Sequence, residues 1–215
     1  MGPDDPGPTP NTKVLISFGS AEGGFEFAMA LRQEVYAHFH WEQESEPGYC
    51  YVDAESLRRD GKTTYDRNET LDTNFMRNKD WKHHYGSAMK DCSTMIILLT
   101  AQWLRSEYCW GELEMLEEIA ASRGGGMKVV VVVWPDARAL LSGGSFPDRK
   151  NQVRSEGEFM GTRGKIPGGW TTIEVSGASG PGRALIERTG GANNYIYACT
   201  AAETQRIIHE VTFGA

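Results

Sequence analysis

The residue of this sequence best placed to do chemistry is Glu112. It lies in the run Tyr108-Cys109-Trp110-Gly111-Glu112-Leu113-Glu114-Met115-Leu116-Glu117-Glu118-Ile119-Ala120, where apolar residues recur at helical spacing. At about 100° per residue, Cys109, Leu113, Leu116 and Ala120 form one stripe that must face the interior, and Glu114, Glu117 and Glu118 fall on the solvated side or its flank. Glu112 lies roughly 70° from the stripe centre on the same geometry. Its neighbours one turn away are Tyr108, Cys109, Met115 and Leu116. A carboxylate in such company is partly desolvated, which raises its pKa and makes it a candidate for chemistry. A border glutamate reaching to water satisfies the same geometry, so the helix alone leaves both readings open.

Other chemistry-bearing groups fail on spacing. Asp60-Gly61-Lys62-Thr63-Thr64 carries the Gly-Lys-Thr of a phosphate-binding loop, but Ser56 stands where that pattern needs its first glycine, and neither a strand before it nor a helix after it is evident. The glycine clusters at 124–126 and 177–182 match no dinucleotide fingerprint and read as turns. His83 and His84 are adjacent, so on a helix they diverge by about 100° and share a metal poorly. Cys50, Cys92, Cys109 and Cys199 are far apart; without zinc spacing they read as small buried or half-buried thiols in a reducing compartment, and no metal site is expected.

The elements that must position Glu112 alternate in type. Val14-Leu15-Ile16-Ser17-Phe18 reads as a buried strand running into a glycine-rich loop, and Phe25 to His38 as an amphipathic helix. Tyr49 to Asp53 is a second strand, Trp81 to Asp91 a short helix, and Thr94 to Leu99 a third strand, apolar throughout as in the middle of a parallel sheet. A helical stretch runs from Thr100 to about Ser122, followed by a valine-rich strand at Lys128 to Trp134 and a short helical piece from Pro135 to Leu141. Ser142 to Trp170 is polar and glycine-rich and reads as a long surface loop. A fifth strand at Thr171 to Val175, a possible strand at Tyr195 to Ala198 and a helix from Ala201 to Val211 end the pass. This order implies an α/β fold, a doubly wound parallel sheet of five strands with helices on both faces. Ligands bind such sheets beyond the carboxyl ends of their strands, which directs attention to the loops at Phe18 to Gly24, Asp53 to Asp80 and after Thr100. The second is long and polar and reads as a lid.

Composition narrows the function. The chain has 215 residues, and 22 Lys+Arg against 29 Asp+Glu give 22 − 29 = −7, a field that disfavours nucleic acid as a partner. A single domain over residues 13–215 is expected, after a proline-rich disordered tail at 1–12. The longest apolar run, Val129 to Trp134, is far below the ~20 residues of a membrane span. The N-terminus lacks the basic-then-apolar pattern of a secretory signal, and Pro6 breaks the myristoylation pattern, so a cytoplasmic location without membrane contact is expected.

Taken in order, Val14 to Phe18, then Tyr51-Val52-Asp53-Ala54-Glu55-Ser56-Leu57 with Asp60-Gly61, then Ala88 to Thr100, then Ser106-Glu107-Tyr108-Cys109-Trp110-Gly111-Glu112-Leu113 resemble the successive boxes of a Toll/interleukin-1 receptor (TIR) domain. The resemblance covers about Lys13 to Trp134. Its most specific part is the last box, similar to a Ser-x-Trp-Cys-x-x-Glu-Leu in plant and bacterial TIR domains.

The resemblance implies a flavodoxin-like sheet and, in many members, cleavage of the nicotinamide–ribose bond of NAD by the glutamate of the last box, here Glu112. NAD would be the substrate, so no cofactor is implied. Ser17, Phe18, Gly19 and Ser20 of the first loop, with Asp53, Tyr108 and Cys109, would contact it. Tyr108 takes the place of the family's tryptophan and would stack on a ring of the substrate. The product would be ADP-ribose or a cyclic isomer, the setting immune, antiviral or other defence signalling, and the partner a second TIR domain through self-association. Gly19 departs from relatives that place a polar residue there, and the 53–80 segment is longer than usual. Two other classes fit: a TIR adaptor that only binds other TIR domains, and an unrelated flavodoxin-like binding module or nucleoside-processing enzyme.

Overall fold

The computed structural model describes residues 11–19, 23–42, 48–52, 81–124, 126–177 and 197–211. The β-branched and aliphatic runs form strands where their patterns require them: β1 (Val14–Phe18), β2 (Cys50–Val52), β3 (Thr94–Leu99), β4 (Lys128–Val133) and, after a short hairpin of β5 (Ser145–Pro147) and β6 (Val153–Ser155), β7 (Trp170–Glu174). Between and after them lie α1 (Gly24–Phe39), α2 (Trp81–Asp91), α3 (Ala101–Arg105), α4 (Glu107–Arg123), α5 (Pro135–Ser142), α6 (Glu156–Arg163) and α7 (Ala201–His209).

The main sheet runs β2-β1-β3-β4-β7, and every pairing in it is parallel. This is the doubly wound, flavodoxin-like order expected from the sequence. Successive strand residues point to opposite faces, so one strand feeds two cores. Leu15, Met95, Ile97, Val129 and Val131 meet Tyr85 and Met89 of α2, Trp103 of α3, and Leu113 and Leu116 of α4 on one face. Val14, Ile16, Ile96, Val130 and Val132 meet Phe27, Leu31 and Val35 of α1 and Ile207 and Ile208 of α7 on the other. Ser17, two residues after Leu15, belongs to the α2–α4 face, and this parity decides what it can touch.

Several expectations are corrected. The stretch from Thr100 to Ser122 is two helices, because Ser106 leaves helical geometry (φ −85°, ψ 117°) and its side chain caps α4 by accepting from the Cys109 amide. Residues 142–170, expected as a surface loop, contain the β5–β6 hairpin and α6. Phe146, Phe159 and Ile166 enter the core, and the Ser155 hydroxyl caps α6 at the Glu158 amide. Glu117, expected on the solvated side, accepts from Thr162 and Lys165 at 2.6 Å each. Thr12, assigned to the tail, is buried; residues 1–10 of that tail, the 53–80 segment and residues 195 and 196 of the possible strand lie outside the described residues. Tyr197 and Ala198, the rest of that strand, are irregular.

Candidate active site

The chain order places β1 and β2 on one side and β3, β4 and β7 on the other, so the direction of winding reverses between β1 and β3. In open α/β sheets that reversal is where a crevice forms at the carboxyl ends of the strands. Ser17 and Phe18 are the last residues of β1, and Thr100 follows β3 and caps α3 by accepting from the Trp103 amide at 3.1 Å. The second turn of α4 brings Glu112 to the same place.

There the carboxylate is held by two side chains, and a third backs one of them. The Ser17 hydroxyl donates to Glu112 Oε2 at 2.5 Å. The Tyr85 hydroxyl, from α2, donates to the same oxygen at 2.9 Å. The Trp103 indole, from α3, donates to Ser17 Oγ at 2.8 Å. Trp103 and Tyr85 are fully buried and Ser17 is 1% exposed, whereas Glu112 is half-buried. Glu112 is therefore a carboxylate fixed from below in a partly desolvated position, and the border reading in which it merely reaches to water is replaced by a built one.

The other groups near it are kept neutral. Burial first, and the Glu112 charge second, push the Tyr85 phenol well above its ordinary value, with the Ser17 hydroxyl acting in the opposite direction. The same two causes, in the same order, push the Cys109 thiol up. Both groups therefore keep their protons at neutral pH.

Of the residues expected to form the site, Ser17, Phe18, Gly19, Tyr108, Cys109 and Glu112 come together; Ser20 and Asp53 lie outside the described residues. Two of these face the protein instead of an open cleft. Ser17 spends its hydroxyl between Trp103 and Glu112, and the Cys109 thiol, 2% exposed, donates to the Phe18 carbonyl at 3.6 Å. They tie α4 to the end of β1. Phe18 packs on Phe25 with ring centroids 5.9 Å apart, and Tyr108 is half-buried against the core one turn before Glu112.

Tyr85 and Trp103 were not singled out from sequence. The signal for Tyr85 was present: Tyr85, Ala88, Met89 and Cys92 form a helical stripe, and a phenol buried on such a stripe must find a polar partner. Trp103 poses the same question for its indole N–H. A separate cavity of about 220 Å³, at the ends of β3, β4 and β7, is lined by Leu99, Val133, Arg138, Phe159 and Glu174 among others. Its carboxylates Glu156 and Glu174 are exposed, and Glu174 pairs with Arg138 at 2.7 Å, so neither matches the desolvated setting of Glu112. Among the described residues, no helix is long and apolar enough to cross a membrane.

No family model matches the sequence. No solved structure matches it either. Over 130 residues the chain is 30% identical to the 3' cyclic ADP-D-ribose synthase HopAM1 of Pseudomonas syringae pv. tomato, an overlap that takes in 60% of this chain and 46% of that protein. The chain thus spans about half the length of the curated relative it matches, and the similarity is to a protein whose product is a cyclised ADP-ribose.

Proposed function

We propose that this chain cleaves the nicotinamide–ribose bond of NAD, with Glu112 as the carboxylate that meets the anomeric carbon. The observation that carries the reading is the Glu112 carboxylate itself: half-buried, held from below by Ser17 and Tyr85, and set at the β1/β3 reversal where this fold binds ligands. Similarity to a 3' cyclic ADP-D-ribose synthase supports the same chemistry.

The reaction suits one fixed anion. Nicotinamide departs as a neutral molecule from a ring that is already cationic, so the leaving group needs no acid. As the C–N bond breaks, positive charge grows on the ribose, and a pre-positioned carboxylate stabilises it without having to reorganise. Water then captures the carbon and releases a proton to give ADP-ribose, or an oxygen or nitrogen of the same molecule does so, again with loss of a proton, to give a cyclic ADP-ribose. The relative's name makes the cyclic product the first to look for. Tyr108, one turn before Glu112 on α4, is assigned to stacking on a substrate ring.

Incubating the chain with NAD and separating the products by chromatography tests this. Free nicotinamide with an equimolar amount of ADP-ribose or of a cyclic ADP-ribose is expected, and intact NAD after prolonged incubation contradicts it. Self-association is inferred from the TIR resemblance alone. The departure at Gly19 has an explanation within one chain, in its close approach to the Trp103 backbone.

A further inference from the structure

Glu112 sits where burial favours the neutral acid, yet the chemistry assigned to it needs the anion. The hydrogen bonds around it resolve this conflict by proton accounting. An indole N–H can only donate, so Ser17 Oγ must accept from Trp103 Nε1 at 2.8 Å. The single hydroxyl hydrogen of Ser17 is then directed to Glu112 Oε2 at 2.5 Å. Tyr85 directs its hydrogen to the same oxygen at 2.9 Å. Protonating Oε2 would turn an acceptor of two hydrogens into a donor, at the loss of at least one of the two hydrogen bonds that Ser17 and Tyr85 donate to it.

Resting on the assignment of Glu112 to NAD cleavage, we propose that Tyr85 is a positioning residue that holds the Glu112 carboxylate ionised and oriented, within a hydrogen-bond chain whose direction is set by the Trp103 indole. Tyr85 from α2 and Cys109 from α4 are titratable groups that interact with Glu112, and the neutral Ser17 from β1 is backed by Trp103 from α3. Ser17 and Tyr85 each donate one hydrogen to the carboxylate. Hydrogen bonds to the charged form lower a carboxylate's pKa, opposing the desolvation that raises it. The Tyr85 phenol, itself pushed up by burial and by Glu112, keeps its hydrogen and remains a donor across the working range.

The test is a carbon-13 NMR titration of Glu112 in the full chain, its resonance assigned by loss in Glu112→Gln, repeated in Tyr85→Phe. The ring stays in place and one donated hydrogen is lost, so the Glu112 titration is expected to move up by about one pH unit. The acid limb of kcat/KM for NAD cleavage should move with it. Ser17→Ala, which removes the other donor, should move both in the same direction and carries the test if Tyr85→Phe does not fold. A Glu112 titration left in place by both variants overturns the proposal, even if turnover falls. Wild-type protein that leaves NAD intact would remove the functional assignment, while the NMR titration would still decide the role of Tyr85.

Discussion

Gly19, which follows β1, lies so close to the first turn of α3 that a β-carbon on it would lie 2.7 Å from the Trp103 backbone nitrogen and 3.0 Å from the Gln102 carbonyl carbon. Both are backbone atoms, which cannot swing aside as a side-chain tip can. The same residue, Trp103, donates its indole N–H to Ser17. Gly19→Ala is therefore expected to destabilise the chain by about 1–3 kcal/mol, as overpacking does, and to reduce turnover. Urea denaturation measures the first effect; an unchanged midpoint would show that the two segments separate freely.

Gly111, adjacent to Glu112, is the opposite case. It sits inside α4, and beyond its chain neighbours and the helix's own backbone no described residue lies within 4 Å of where its β-carbon would be. Glycine inside a helix costs roughly 0.5–1 kcal/mol relative to alanine. Gly111→Ala should raise stability by about that much, in contrast to Gly19→Ala. Thermal unfolding of the two variants side by side checks the signs.

Tyr108 contributes a ring to the proposed substrate contact. Tyr108→Phe should retain most of the wild-type kcat/KM, while Tyr108→Ala should lose about tenfold or more, the scale of one aromatic contact. Steady-state kinetics at matched folded fraction separates this from lost packing. An equal loss in both variants would assign the role to the hydroxyl.

The β5–β6 turn supports α4 from outside. Asp148, whose side chain is fully buried, accepts from the amides of Lys150 at 2.8 Å and Gln152 at 2.9 Å and from Arg154 Nε at 3.1 Å. Arg154 in turn lies over the Trp110 ring, 4.6 Å from its centroid. Burial raises the Asp148 pKa, but the Gln152 amide, Arg154 and the Lys150 amide outweigh it and the net direction is down. A folded-state value below the unfolded one stabilises the fold above the unfolded pKa of about 3.9, and that stability is lost as pH falls through the folded value. Asp148→Ala should cost about 2 kcal/mol at neutral pH, with the gap to wild type narrowing below about pH 4. Chemical denaturation across pH measures it, and a gap that is flat into acid would contradict the ionised role.

The fold was legible because its strongest signals are local. Thr94 to Leu99 and the valines of β4 are uninterrupted β-formers, and the Cys109–Leu113–Leu116–Ala120 stripe orients α4 with no tertiary information. That orientation brought Glu112 forward. Its partners were not legible in the same way, since Ser17 and Tyr85 lie 95 and 27 residues from it and Trp103 lies 86 from Ser17. Only the sheet's strand order makes them neighbours. The hairpin and α6 were missed because β5 and β6 are three residues each, too short for periodicity, although Ser155 and Glu158 form the Ser-x-x-Glu signature of a helix start.

The central claim is that the Glu112 carboxylate, not its shape, carries the reaction. Glu112→Gln preserves volume while removing the charge. Nicotinamide release from NAD should fall at least ~100-fold, the scale of losing one pre-positioned electrostatic group, with the unfolding midpoint little changed. A glutamine variant that releases nicotinamide at a rate close to wild type would contradict the account and move the chemistry to another residue.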